Sequence, residues 1–354
     1  GGGRRMSIAF AHKLGEYWIG PHIASGGRGS VYYASNLGAN AVPTAAIKWP
    51  STNREMRTLK ALQEGERPCL GVPLVYESGT HDGKPWLVME LLSKISFKNM
   101  MRKIFRLKPE RRWSHVKVLG RLLLRRLKAV HERGFVHCDI HPSNIIFGRK
   151  KYSSDAERYT PFFVDFGLAH PHPGGDKISA HAGTITYTSI RSGEGCARLP
   201  RDDCEALGWM LAHCVAGSLP WIPMIDKVDW KDKPRRTVLC KDVQEEKEKV
   251  LLENSPHSLE ERWNVPPELA QYLRLCQRFG QPWEEGEAAR PNYDALAALL
   301  GEGEAEIAQK EGGDTLFDFD DLPEVPGTEE DPEQREEAAE MRDLEILQQV
   351  LADL

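Results

Sequence analysis

Apolar and polar positions in the first ninety residues alternate in short runs broken by glycine and proline. "YWIGPHIASGGRGSVYYAS" predicts strand, glycine turn, strand, and "TAAIKWP" a third short strand stopped by Pro50. "STNREMRTLKALQ" changes to helical spacing; Ser51 and Thr52 are good caps, and Thr52-x-x-Glu55 fits a capping box. "KPWLVMELL" is a continuous apolar run of the buried-strand kind. Beyond it the chain turns helical. "WSHVKVLGRLLLRRLKAVHERG" carries apolar residues at helical spacing and ends at Gly134, a C-cap. "NIIFG" and "PFFVDFG" read as short strands flanking a polar loop, and "DDCEALGWMLAHCVAGSLPW" as a buried helix. Strands first and helices later predict an α+β fold: a small β-rich lobe, then a larger, mainly helical one. No internal repeat is visible.

The pattern fades after residue 300. Residues 301–330 are rich in Gly, Glu and Asp and read as a linker or disordered tail. "EMRDLEILQQVLADL" regains helical spacing through Leu344, Leu347, Leu351 and Leu354, either as a docking helix or as a solvated one too short to be stable alone. "TLFDFDDLPE" interleaves Phe317 and Phe319 with acids, as some peptide ligands do. The expected organisation is a flexible leader (1–14), a β-rich lobe with its hinge (15–92), a helical lobe (93–300) and an acidic, largely disordered tail (301–354).

Charge sharpens that division. The whole chain has 47 basic and 52 acidic side chains, and residues 301–354 hold 3 and 19 of them, leaving 44 and 33 in residues 1–300. A basic body carries an acidic tail. Such a body favours anionic partners (ATP, acidic peptides, nucleic acid), although surface charge also serves solubility alone. The asymmetry suggests that the tail folds back on the body. The chain is 40% hydrophobic and 28% charged, ordinary for a soluble globular protein. No apolar run is long enough to span a bilayer, and "GGGRRMSIAF" lacks the apolar stretch of a secretory signal. Seven scattered cysteines without a C-x-x-C pair fit reduced thiols inside a cell and imply no zinc site. An intracellular monomer is expected, in cytoplasm or nucleus; "GRKK" (148–151) and "KPRR" (233–236) are weak nuclear signals and more often solvated loops.

The candidate chemistry lies in four places. "IASGGRGSV" comprises Ile23, Ala24, Ser25, Gly26, Gly27, Arg28, Gly29, Ser30 and Val31, and its glycines let backbone approach phosphate without an intervening Cβ. "AAIK" ends an apolar strand at Lys48. "VHCDIHPSNIIF" contains His137, Asp139, His141 and Asn144, and "VDFG" contains Asp165. In this order they match the parts of γ-phosphoryl transfer: a glycine-rich loop over the phosphates, a lysine on them, an aspartate for the attacking hydroxyl, and Asn and Asp ligands for magnesium. Glu55 is the candidate partner of Lys48; its place in the capping box offers it a second use. The loop departs from Gly-x-Gly-x-x-Gly-x-Val in having Ala24 at the first glycine.

These motifs resemble those of protein kinases. "MELL" (89–92), "GTITYTSI" (183–190), "RDDCEALGW" (201–209) and "GSLPW" (217–221) resemble the casein kinase I superfamily, and "DIHPSN" and "TSI" its vaccinia-related branch, over about residues 15–300. The resemblance implies a two-lobed Ser/Thr protein kinase using ATP and Mg2+. Met89 would be the gatekeeper, and Glu90 to Leu92 the hinge that binds adenine. Asp203 would brace the catalytic loop, and Thr184 would contact Asp139. Cys138 stands where many kinases carry an arginine for an activation-loop phosphate, which suggests activity without such phosphorylation. His141 stands where a lysine usually stabilises the transferred phosphoryl group. "H-x-D-x-H-P-x-N" also resembles aminoglycoside and choline-type phosphotransferases, and a pseudokinase scaffold is a third reading. Acidic, phosphorylated or chromatin-associated proteins are the expected substrates.

Overall fold

The computed structural model describes residues 12–39, 41–148, 160–174, 182–194, 196–229, 232–278 and 290–301. The tail after residue 301, with its Phe-Asp stretch and its terminal leucine repeat, lies outside the described residues. Six antiparallel strands form the first lobe: β1 (His12–Leu14), β2 (Tyr17–Gly26), β3 (Gly29–Ser35), β4 (Ala45–Trp49), β5 (Val75–His81) and β6 (Lys84–Glu90). Their order is β1-β2-β3-β4-β6-β5. The leader expected over 1–14 therefore ends inside the sheet, because Leu14 is buried opposite Tyr17.

β4 and β6 are apolar at successive positions because both faces are covered. Ala45, Ile47, Trp86 and Val88 pack on one side, and Ala46, Leu87 and Met89 on the other, against the main core. The first helix, α1 (Asn53–Ala61), crosses that inner side. Thr52 caps it by accepting the Glu55 N–H at 3.1 Å, as the sequence predicts. The reciprocal half of the capping box is absent: the Glu55 carboxylate accepts from Lys48 and Ser51 instead.

The second lobe contains α2 (Phe97–Ile104), α3 (Pro109–Glu132), α4 (Pro200–Ala216), α5 (Ile222–Ile225), α6 (Lys233–Val250), α7 (Leu259–Trp263), α8 (Pro267–Arg278) and α9 (Tyr293–Leu299). α3 starts four residues before its apolar pattern, because Pro109 suits the first helical position. The predicted "NIIFG" and "PFFVDFG" strands pair as β8 (Ile145–Phe147) and β9 (Pro161–Phe163). Two-residue strands β7 (Phe135–Val136) and β10 (His170–Pro171) form a second small ladder. α4 is buried along nearly its whole length and ends where Gly217 turns left-handed. A Cβ on Gly208 would lie 2.6 Å from Leu273 and 2.9 Å from Tyr272, so glycine lets α4 and α8 pack closely. No helix among the described residues is long and apolar enough to cross a membrane.

One partly buried histidine makes the helical lobe acid-sensitive. Burial pushes the His213 imidazole down to about 4, and its Nδ1 lies 2.8 Å from the Tyr187 hydroxyl. Between an ordinary histidine value of about 6.5 and that value, the unfolded chain binds a proton that the folded chain refuses. Stability is thus lost as pH falls through this window. Thermal midpoints at pH 7 and pH 5 should converge less for wild type than for His213→Gln, which removes roughly 1–2 kcal/mol of that loss. Identical acid sensitivity in the two proteins would contradict this role.

Candidate active site

Lys48 ends the buried part of β4 and brings an ammonium into the space between the lobes. Its side chain is 6% exposed, and a cation so far from water must be paired. Glu55 Oε1 accepts from it at 2.8 Å and Asp165 Oδ1 at 2.9 Å. Ser51 holds the other Glu55 oxygen at 2.9 Å. Glu55 lies only seven positions after Lys48, and α1 makes that span by beginning after Pro50, Ser51 and Thr52. Burial pushes the Asp165 carboxyl up, but Lys48, then Arg28, outweigh it and hold it below the ordinary carboxylate value. Asp165 has left-handed backbone (φ 60°) and accepts the Gly167 N–H at 3.3 Å. Phe166 turns inward, fully buried, with its ring 4.6 Å from that of His137.

The loop from His137 to Asn144 hangs from Asp203 of α4. Asp203 accepts the N–H groups of His137 (2.7 Å) and Cys138 (2.9 Å) and the His131 Nε2–H (3.0 Å). Burial opposes its charge; these donors outweigh burial and keep its pKa low. They also hold Cys138 at φ 69°, a costly conformation for a residue with a Cβ. His137 donates from Nε2 to the Val164 carbonyl and accepts the Asp139 N–H on Nδ1, which fixes the orientation of its ring. Burial pushes the Cys138 thiol far up, so it is not a nucleophile.

Asp139 is nearly buried, and its Oδ1 accepts from the Thr184 hydroxyl at 3.0 Å. The Asn144 amide donates to the Asp139 carbonyl at 3.0 Å. Among the described residues nothing donates a hydrogen bond to the Asn144 side-chain oxygen or to Asp165 Oδ2; these are hard donors suited to a divalent cation such as magnesium. His141 accepts the Ser143 N–H on Nδ1 and points Nε2 toward Asp139 Oδ2 at 3.9 Å. Burial keeps its pKa below the usual imidazole value, against the pull of Asp139. From the other lobe the turn Gly26–Gly29 closes the space. A Cβ on Gly29 would fall 1.8 Å from the Pro50 carbonyl oxygen, so only glycine fits there. Ile23, Ala24, Ser25, Ser30 and Val31 lie on the paired strands, with Ala24 opposite Val31 and Ser25 opposite Ser30. Met89 and Glu90 end β6; Glu90 N–H donates to the Leu74 carbonyl, and Leu92 is half-buried just beyond.

Thr184 begins a segment fastened at almost every residue. The Trp221 indole donates to the Thr186 carbonyl at 2.9 Å, Glu205 accepts the Ile190 N–H at 2.8 Å, and Asp202 accepts the Ser189 hydroxyl at 2.8 Å. The motifs "GTITYTSI", "RDDCEALGW" and "GSLPW" thus meet in space. Lys247 of α6 was not foreseen. It donates to the carbonyls of Ile185 (3.1 Å) and Thr188 (2.6 Å), and its ammonium lies 5.8 and 5.2 Å from the Trp209 and Trp221 rings. Burial pulls its pKa down to about 7. Its signal is spacing: within a charged run it shares a helix face with Leu239, Val243 and Val250.

Removing the carboxylate that suspends the loop has a predictable cost. Asp203→Asn retains one accepting oxygen but turns an amide against buried donors, which costs about 2–3 kcal/mol. Its thermal midpoint should fall by several degrees, and an unchanged midpoint would contradict the role given to Asp203.

A lysine bridging helix and sheet to a metal-type aspartate, an aspartate–asparagine loop braced from below and a glycine turn above form one coherent site. A family model of the protein kinase domain matches residues 20–274, and the chain belongs to the protein kinase family.

Proposed function

We propose that the protein is a Ser/Thr protein kinase of the casein kinase I superfamily, nearest its vaccinia-related branch, and that it transfers the γ-phosphoryl group of ATP to protein hydroxyls with Mg2+ as cofactor. The observation that carries this reading is the Thr184–Asp139 hydrogen bond, at the start of a segment tied to α4 and α6. Asp139 orients the attacking hydroxyl and takes its proton. Lys48 holds the α- and β-phosphates, and Glu55 holds Lys48 in place. Asn144 and Asp165 are the residues that would hold the metal, which neutralises phosphate charge when bound. Met89, Glu90 and Leu92 line the adenine end, with Ile23 and Val31 above it.

Cys138 bears on regulation. Thr184 to Ile190 are held by Asp202, Glu205, Trp221 and Lys247, with no phosphate needed in those contacts. That supports activity independent of activation-loop phosphorylation. The basic body favours acidic or already phosphorylated protein substrates.

Radiolabelled ATP with magnesium, offered with casein, histone and basic proteins and, in parallel, with aminoglycosides and choline, tests the reading. Label should enter protein serine or threonine, Asp139→Asn should reduce transfer by at least roughly 100-fold, and prior phosphatase treatment should leave it unchanged. Binding of ATP without transfer would instead indicate a pseudokinase. Label confined to aminoglycosides or choline would indicate a small-molecule kinase.

A further inference from the structure

Arg28 occupies the tip of the turn between β2 and β3, where Gly26 pairs with Gly29. Its guanidinium reaches across to the other lobe. Nη1 lies 3.7 Å from Asp139 Oδ2 and 4.0 Å from Asp165 Oδ2. Both contacts are ion pairs too long to be hydrogen bonds, so the donors of the fork are not committed to either acid. The stem lies over Gly167: a Cβ there would come within 2.6 Å of Arg28 Cδ. The neighbouring Gly26 and Gly27 have open space around them, so it is the arginine that carries the turn onto the site.

We propose that Arg28 is the cation that meets the transferring phosphoryl group, and that it takes over the work of the lysine that His141 replaces. The proposal rests on the kinase reading above. In transfer, the substrate hydroxyl oxygen bonds to the γ-phosphorus and the bond to the β–γ bridging oxygen breaks. The electron pair leaves with ADP, and the hydroxyl proton passes to Asp139. Arg28 neither gives nor takes a proton; it faces the equatorial oxygens, where charge is spread in the transition state.

The other cationic candidates are engaged or unsuited. Lys48 is bound at 2.8 and 2.9 Å to Glu55 and Asp165. His141 spends Nδ1 as an acceptor for the Ser143 N–H, which is the geometry of a neutral ring. With Asp165 assigned to the metal, Asp139 still faces the terminal phosphate oxygens, and Arg28 is the cation beside it. A guanidinium is a permanent cation whose planar fork matches two phosphate oxygens at once. Arg28 already sits within ion-pair range of both acids.

Arg28→Ala, Arg28→Lys and the double variant Arg28→Ala/His141→Lys separate this role from a structural one. Arg28→Ala should keep the wild-type thermal midpoint, because the Arg28 side chain is 29% exposed and its two ion pairs are long, and lower kcat roughly 100-fold. It should also weaken a non-hydrolysable ATP analogue about tenfold while leaving ADP affinity unchanged, since the lost contact is to the terminal phosphate. Arg28→Lys should retain part of the activity, and His141→Lys should restore part of what Arg28→Ala loses. A kcat for Arg28→Ala within about twofold of wild type, or above it, would overturn the proposal, as would equal weakening of ADP and the ATP analogue. If wild type binds and transfers while Arg28→Ala matches it, only the role of Arg28 falls. If wild type binds no magnesium–ATP, the kinase reading falls with it.

Discussion

A single buried ammonium sets the geometry of this protein. An ammonium as buried as that of Lys48 is costly unless carboxylates come to it. Glu55 does so from a helix and Asp165 from the other lobe, at 2.8 and 2.9 Å. That requirement places α1 against the inner face of the sheet and brings the Asp165 turn under the glycine loop. Removing Lys48 would strand the Glu55 carboxylate, 1% exposed, without its cation, whereas losing one acid leaves Lys48 the other.

A second carboxylate has the complementary task. Asp203 cannot move, because α4 is packed on every side, and the loop carrying Asp139 is suspended from it by two backbone N–H bonds. The same helix presents Asp202 and Glu205 to the segment after Thr184. Protein kinase chemistry asks for little covalent work from the protein and much positioning. Here one rigid helix positions both the aspartate proposed to take the hydroxyl and the surface proposed to receive the substrate.

How much of this is legible in the sequence depends on how local each constraint is. Lys48, Asp139, Asn144 and Asp165 announce themselves because the chemistry demands those residue types in that order. Continuous apolar runs revealed β6 and α4 because both are buried all round. Glu55 stayed ambiguous, since a helix cap and an ion-pair partner look alike in one dimension; the structure separates them by giving the Thr52 side chain the cap and the Glu55 carboxylate to Lys48. β5 lies at a sheet edge with mixed polarity and has no clear period. Lys247 is hidden by the charged residues around it, though it lies on the apolar face of its helix. Arg28 read only as one member of a glycine loop, because the reach of a long side chain across a cleft leaves no trace in spacing.

The central claim is that these residues assemble a magnesium-dependent nucleotide site. The most direct measurement is the thermal midpoint of the full chain with ATP, in the presence and absence of magnesium, for wild type and Asp165→Asn. A ligand that binds only the folded state raises the midpoint. Wild type should gain clearly more from ATP with magnesium than from ATP alone, and Asp165→Asn should lose that difference. No rise with magnesium–ATP in wild type, or a magnesium increment that survives in Asp165→Asn, would contradict the account.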